Sequence, residues 1–359
     1  MRRSIFQADR STGLALLRRA PLVHLATTRR DGAPVLRALH SAVPTGSTGA
    51  GDHLVFHGAP AGEKLEAIGR PAVVSAEEIV VSIPSTFIDP QRACPATTLY
   101  ASVQVAGTIE GVDDPELKAS ALQALMEQHQ PEGGHVPIDA NHPLYRRAVA
   151  GVFVLQISLE RLVCKAKLGQ NLAADRRRAI LEQLWRRGSP GDPRAIELVL
   201  AANPDTPRPA FLVAPPAARG TALRCWLPSE RASEAAGLVA DEYWNVGLRR
   251  SAIEAAHRHA AAWVGAEDGA GRLIATARAI GDRAKHAYIY DVAVTAAWRG
   301  RGLGAALFGL LLEHPVVRQA DRVWLRTKDA HDFYRRFGFG ERHRTTGHST
   351  EMVLQRAAV

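Results

Sequence analysis

Through the first 110 positions, apolar and polar residues alternate in short runs separated by turn-forming clusters. Leu22-Val-His-Leu-Ala-Thr-Thr28 alternates and runs into Arg29-Arg-Asp-Gly-Ala-Pro34. Residues 35–43 form a second alternating run. Val35, Arg37, Leu39 and Ser41 share one face, and Leu36, Ala38, His40 and Ala42 share the other. A Gly-, Ser- and Thr-rich loop at 44–52 leads to a third run, Leu54-Val-Phe-His57. The stretch 58–64 opens a short helix at 65–69, and 72–81 and 100–110 read as further strands. Many short strands joined by hairpin-type turns predict a closed or partly closed β-barrel.

The period changes after residue 170. Residues 173–185 place Ile180, Leu181, Leu184 and Trp185 on one helical side. Gly188-Ser-Pro-Gly-Asp-Pro193 breaks that helix, and 194–202 resumes it. The prolines at 207–216 mark a linker. Beyond it, Ala261–Gly265 and Leu273–Ala277 read as strands joined by a polar turn at 266–271. A strand from Tyr288 enters a helix with Leu303, Leu307, Leu310 and Leu311 on one face. Val323–Thr327 is a short buried strand. Residues 328–339 form a helix with aromatics at 333, 334 and 337, stopped by Gly338.

The most specific chemistry lies between strand and helix, at Arg299-Gly-Arg-Gly-Leu-Gly304. Glycines let the backbone approach a ligand closely, and first-turn N–H groups with the helix dipole favour an anion. Arg299 and Arg301 add full charges. No Gly-Lys-Ser/Thr follows, so this is not a P-loop, and the spacing is not that of a dinucleotide-binding turn. A pyrophosphate cradle on a strand-turn-helix unit is the expectation.

The run Arg299-x-x-Gly302-x-Gly304 resembles the acetyl-CoA motif of the GNAT acetyltransferases, and Phe333-Tyr-x-x-Phe-Gly-Phe339 matches their second signature. The resemblance implies an α/β domain at 223–359. Residues 241–245 and 248–256 would be its first two helices, beside the acceptor. It implies that Arg299, Gly300, Arg301, Gly302, Leu303 and Gly304 hold the acetyl-CoA diphosphate. The backbone of Val292, Ala293 and Val294 would pair with the pantetheine arm. Tyr334 would protonate the leaving thiolate. The acceptor is a small amine. Glu242 or Asp291 would strip its proton, directly or through water, or either is a surface or capping carboxylate.

Composition adds bounds. The 359 residues are 46% apolar and 23% charged, enough for two globular domains. No apolar run approaches a membrane span, and the N-terminus carries no leader pattern. Cys94, Cys164 and Cys225 form neither a disulfide framework nor a zinc pattern. A cytoplasmic protein is expected. The net charge of +9 suits anionic ligands. The arginines are scattered, with no dense basic block, so nucleic acid is not expected as a partner.

Three N-terminal pieces resemble the pyridoxamine phosphate oxidase-like split barrels, and among them the nitroimidazole-resistance-type flavin proteins. They are Leu25-Ala-Thr-Thr…Gly32-x-Pro34, Phe56-His-Gly-Ala-Pro-Ala-Gly-Glu-Lys64 and Tyr100-Ala-Ser-Val-x-Val-x-Gly107. Lys165–Asn171 resembles a tract of related flavin-binding regulators, with Gly169 in place of a serine. The resemblance implies FMN. Lys64, Arg37 and Ser41 would lie at its phosphate and His57 at the flavin edge, with Leu39, Gly58 and Ser102 completing the site. It also implies a homodimer with the flavin at the interface. Haem is the alternative cofactor, with His24, His40, His53 and His57 as possible axial ligands.

The expected architecture is α+β. A split barrel with a helical appendage at 171–207 fills 1–207, a linker spans 208–222, and the GNAT domain follows. The expected function is bifunctional: an acetyl-CoA-dependent N-acetyltransferase joined to an FMN-dependent redox domain. Two alternatives remain open. One is a flavin- or haem-binding sensor or transcriptional regulator with 171–207 on DNA. The other is a cofactor-free barrel that dimerises the acetyltransferase.

Overall fold

The structure, a computed structural model, describes residues 4–44, 52–59, 63–344 and 349–356. It divides into two compact units, 1–83 with 97–171, and 84–96 with 172–359.

The first unit is a split barrel. Its larger sheet contains β1 (Gln7–Ala8), β2 (Val23–Thr28), β3 (Pro34–Leu39), β5 (Pro71–Ile83), β6 (Thr97–Thr108) and β9 (Leu162–Lys167). Their order is β1-β9-β6-β5-β2-β3. A smaller sheet, β4-β8-β7, is built from β4 (His53–Gly58), β7 (Glu110–Val112) and β8 (Phe153–Ser158). The chain passes from one sheet to the other at Ile109, which is fully buried between β6 and β7. An isolated bridge between Ala42 and Val55 joins the end of β3 to β4.

Alternation supplies the core. Val23, Leu25, Val74, Ala76, Val103 and Val105 face inward and meet Leu54, Phe56, Leu155 and Ile157 of the small sheet. Helix α1 (Arg10–Arg19) adds Leu16 and Leu17, and starts where Asp9 Oδ1 accepts the Thr12 N–H at 2.7 Å. Helices α2 (Pro115–His129) and α3 (Arg146–Gly151) complete the unit.

The second unit is a seven-stranded sheet in the order β10-β11-β12-β13-β14-β16-β15. Its strands are β10 (Ala222–Arg224), β11 (Ala262–Glu267), β12 (Leu273–Gly281), β13 (His286–Val294), β14 (Arg322–Thr327), β15 (Gly340–Arg344) and β16 (Thr350–Gln355). Its helices are α4 (Ala174–Arg187), α5 (Asp192–Ala202), α6 (Ala232–Val239), α7 (Arg250–Arg258), α8 (Leu303–Leu312), α9 (Pro315–Arg318) and α10 (His331–Arg335). No described helix is long and apolar enough to cross a membrane.

Two expectations are corrected here. The helices at 171–207 are not an appendage of the barrel; α4 and α5 pack into the second unit. Trp185 stacks on Phe211 at 4.5 Å, and its carbonyl accepts from Arg318 at 2.6 Å. Buried Glu197 accepts the Cys225 N–H at 2.7 Å and pairs with Arg224 at 3.1 Å. Burial raises the Glu197 pKa, and Arg224 opposes that rise. The proline-rich stretch at 208–222 is likewise packed rather than loose, with Leu212 and Ala218 fully buried. Truncating Trp185 to alanine should cost about 3–5 kcal/mol, read as a lower urea midpoint for the second unit.

The second correction concerns the helices near the acceptor. The first is α6, not 241–245, which holds only a 3-10 turn at Tyr243–Asn245. Its buried stripe is Ala232, Ala235, Ala236 and Val239. Small residues gave no strong periodic signal. The second, α7, runs two residues later than expected.

Candidate functional site

Strand β13 and helix α8 frame the site in the second unit. Helix α8 buries Leu303, Leu307, Phe308, Leu310 and Leu311, which fixes its N-terminus at the end of β13. Between them, Gly300 and Gly302 adopt φ of 74° and 76°, a region that glycine enters without strain. Gly302 is the N-cap of α8 and no side chain caps it. The first-turn N–H groups have no intrahelical partner, so they point outward for an anion. Arg301 lies over the Trp298 ring at 4.9 Å. Arg299 donates from Nε to the Val294 carbonyl at 2.9 Å, which ties the turn to the strand.

Beside this turn the sheet opens. Strands β13 and β14 are parallel, and their pairing covers only His286 to Tyr288 against Arg322 to Trp324. Strand β13 nevertheless continues to Val294 and β14 to Thr327. On the other side Ala293 and Val294 pair with Thr276 and Ala275, after a register shift between Thr276 and Arg278. Backbone groups of Val292, Ala293 and Val294 therefore border a wedge between diverging strands. A linear amide-bearing chain can lie there and pair with a strand edge.

Tyr334 stands in α10, with only 9% of its surface exposed. Its ring packs at 5.1 Å from both Phe308 and Phe333. Burial, with smaller contributions from Tyr243 and Asp329, pushes its pKa well above that of a free phenol. The hydroxyl therefore stays protonated at neutral pH and is available as a hydrogen-bond or proton donor.

The two candidate bases are both engaged. Asp291 is buried and has φ of 51°, in the left-handed region. Its Oδ2 accepts from Arg278 at 2.5 Å, and its Oδ1 from Trp244 at 2.9 Å and Asn245 at 3.3 Å. With both oxygens committed, Asp291 ties the bulged strand to the 243–245 turn. Glu242 lies 3.6 Å from the Arg299 guanidinium, beside the anion turn. Arg278 and Trp244, which the sequence reading missed, orient this corner. The signal available was a carboxylate inside an apolar strand, which needs a buried partner.

In the first unit, the expected flavin residues do not converge within one chain. Arg37 and Leu39 pair with Leu25 and Val23, so they lie on the core-facing side of the sheet. Ser102 pairs with Glu77 and Lys165 on the opposite face, three strands away in the order β6-β5-β2-β3. Arg37 also donates to Thr27 Oγ1 at 3.1 Å. Among the described residues the buried Ser41 hydroxyl has no partner. His57 and Gly58 line a shallow hollow of about 460 Å³ with Ala148 and Val152. The Lys64 side chain lies outside the described residues. These described residues do not make one cradle for a flavin phosphate within a single chain. Of the candidate haem ligands, His24 lies 3.7 Å from Glu77 and His40 packs against His129. Among the described residues no cluster could hold a metal ion.

His314 lies just past the far end of α8. It is buried, and its Nδ1 accepts the Val316 N–H at 3.3 Å at the start of α9. Burial, then the charges of Arg283 and Arg318, lower its pKa from 6.5 to about 3. Below pH 6.5 the unfolded chain takes a proton that the folded chain refuses. Its contribution is therefore complete above that pH and is lost as pH falls toward 3, by about 1.4 kcal/mol per pH unit. Urea titrations at pH 7 and 5.5 should show about 1 kcal/mol lost in the wild type that His314→Asn does not lose.

Residues 9–166 match the family model described as pyridoxamine 5'-phosphate oxidase, and residues 224–339 match the acetyltransferase (GNAT) family. The chain thus joins a split barrel of a flavin-binding kind to a GNAT domain. No curated protein matches it. Among solved structures it is similar to a putative 5-nitroimidazole antibiotic resistance protein from Bacteroides thetaiotaomicron. That likeness has 16% identity, covers 45% of this chain and 86% of the other, and has a TM-score of 0.35. An FAD and heme binding protein from Mycobacterium smegmatis is 22% identical over 47% of this chain and 76% of that one, with a TM-score of 0.36. A putative GNAT-family acetyltransferase from Xanthomonas campestris pv. campestris is 30% identical over 34% and 85%, with a TM-score of 0.30. At these scores the solved structures add no argument to the family matches.

Proposed function

We infer that the second unit of this barrel–GNAT fusion transfers an acetyl group from acetyl-CoA to a small amine. The observation that carries the reading is the wedge between β13 and β14, opening beside an uncapped, glycine-built helix start. The diphosphate would meet the first-turn N–H groups of Leu303 and Gly304 and the Arg301 charge. The pantetheine amides would pair with Val292–Val294. An uncharged amine attacks the thioester carbonyl; the C–N bond forms, the C–S bond breaks and the thiolate takes the Tyr334 proton, while the proton shed by the new amide nitrogen leaves to water and Tyr334 regains its own from solvent. Asp291 is a positioning residue in this scheme. Its oxygens already hold three donors, so the ammonium proton leaves to solvent before attack. The test is release of free CoA thiol from acetyl-CoA on adding a panel of aryl and alkyl amines to the intact chain. Amine-dependent release is expected, and none with any amine would remove the reading.

For the first unit we propose FMN binding shared between two copies of the chain. Ser102, Tyr100 and Lys165 lie on the outer sheet face with Leu36, Ile79 and Val163, which are 67%, 70% and 49% exposed. Such an apolar face with cationic neighbours suits both association and an anionic cofactor. Sedimentation with added FMN should give a dimer carrying the flavin absorbance; a colourless monomer would refute it.

A further inference from the structure

The turn at Tyr243–Asn245 reaches both strands that border the wedge. Trp244 Nε1 donates to Asp291 Oδ1 on β13 at 2.9 Å. The Tyr243 hydroxyl accepts the Lys328 N–H, just past the end of β14, at 2.8 Å. The two rings meet edge to face, with centroids 4.9 Å apart. Their polar tips are thus tied to the two diverging strands, yet each residue keeps 38% of its surface exposed. Burial and then Tyr243 raise the Tyr334 pKa, so the Tyr243 hydroxyl lies within electrostatic reach of the proton donor. On the other side of Asp291, Arg278 donates to Oδ2, and its guanidinium lies over the Tyr290 ring at 4.9 Å. Tyr290 is 37% exposed, and Val246 and Leu248 are exposed as well. An open aromatic patch beside a reaction centre suits a flat apolar ligand.

The charges at this corner disfavour a cation. Lys328 Nζ lies over the Tyr243 ring at 5.7 Å, a full positive charge at the edge of the patch. Asp291 has both oxygens committed, and Glu242 lies 3.6 Å from Arg299. Glu351 accepts from the Tyr288 hydroxyl at 3.4 Å, and Asp329 is exposed to water. Among the described residues, then, no uncommitted buried carboxylate stands beside these rings to take an ammonium proton. An alkylamine arrives as an ammonium, with a pKa near the roughly 10.4 of a lysine side chain, and must shed a proton first. An arylamine shares its nitrogen lone pair with its ring. It is uncharged at neutral pH and needs no base before attack.

We propose that the amine accepted here is a neutral arylamine, its ring packed against Tyr243, Trp244 and Tyr290 and its nitrogen directed at the thioester in the wedge. This substrate class rests on the acyl-transfer reading of the same site. The C–N bond forms at the aryl nitrogen and the C–S bond breaks. Tyr334 protonates the thiolate, the new anilide nitrogen gives its extra proton to water, and Tyr334 is reprotonated from solvent.

The test compares p-toluidine, benzylamine and trifluoroethylamine by release of free thiol from acetyl-CoA at pH 7, with the intact chain. The first is a neutral arylamine, the second carries a ring on an ammonium, and the third is weakly basic without a ring. p-Toluidine should exceed each of the others by about tenfold or more in kcat/KM. In Tyr243→Leu its KM should rise about tenfold, with acetyl-CoA affinity within about twofold of the wild type. Tyr243→Phe, which keeps the ring, should return KM to within about twofold. Calorimetry of p-toluidine with the chain saturated in CoA, which cannot react, should show the same loss of about tenfold in Tyr243→Leu. If benzylamine or trifluoroethylamine matches p-toluidine, or Tyr243→Leu binds p-toluidine as the wild type does, the arylamine assignment falls while acyl transfer stands. No thiol release with any amine would overturn both.

Discussion

Tyr334→Phe should lower kcat by about 100-fold or more while leaving acetyl-CoA affinity within about twofold of the wild type. The substitution removes one oxygen and keeps the ring that packs on Phe308 and Phe333. Stability should barely change. What is lost is a proton donor, in a place where burial holds the phenol protonated. Without it, a thiolate must leave unprotonated or wait for water. Stopped-flow detection of free thiol, with a separate acetyl-CoA titration, divides the two effects. If kcat is unchanged and only KM rises, the hydroxyl serves binding and the proton comes from elsewhere.

A second substitution should act on binding alone. Gly302→Asp is expected to weaken acetyl-CoA by about 100-fold or more. Aspartate is among the few residues that tolerate left-handed backbone, and the Cβ would meet Pro215 only at an ordinary 3.6 Å. The fold should survive. The new carboxylate would place a negative charge at the start of α8, where the diphosphate belongs. The left-handed backbone strains any side chain, so stability should fall slightly along with affinity. Calorimetry and thermal melting on the same sample read both. Wild-type affinity in Gly302→Asp would move the diphosphate away from this turn.

The parts of this molecule legible in its sequence are those written locally. The glycines of 299–304 announce the turn, because only glycine reaches the dihedrals of Gly300 and Gly302 cheaply. Alternation at 22–28, 35–39 and 72–81 gave the barrel strands. Features set by pairing were not legible. Whether Ser102 shares a face with Arg37 depends on three strand registers, and the registers put it on the other side. The wedge beside Val292–Val294 exists because β14 stops pairing at Trp324, which no local pattern records. Helix α6 escaped because alanines bury as well as leucines yet carry little periodic signal. The helices at 174–202 looked like an annex of the preceding barrel; the partners of Trp185 and Glu197 lie later in the chain. The partners of Asp291, Arg278 and Trp244, lie 13 and 47 residues away in the chain, so no local pattern showed them.

The central claim is that the diphosphate of coenzyme A is held where α8 begins. Calorimetry of the intact chain with acetyl-CoA and with S-acetylpantetheine, which keeps the thioester arm and lacks the diphosphate, tests it most directly. Acetyl-CoA should bind at one site per chain, and S-acetylpantetheine about 100-fold more weakly or not measurably. Equal affinities, or no heat from acetyl-CoA, would contradict the account.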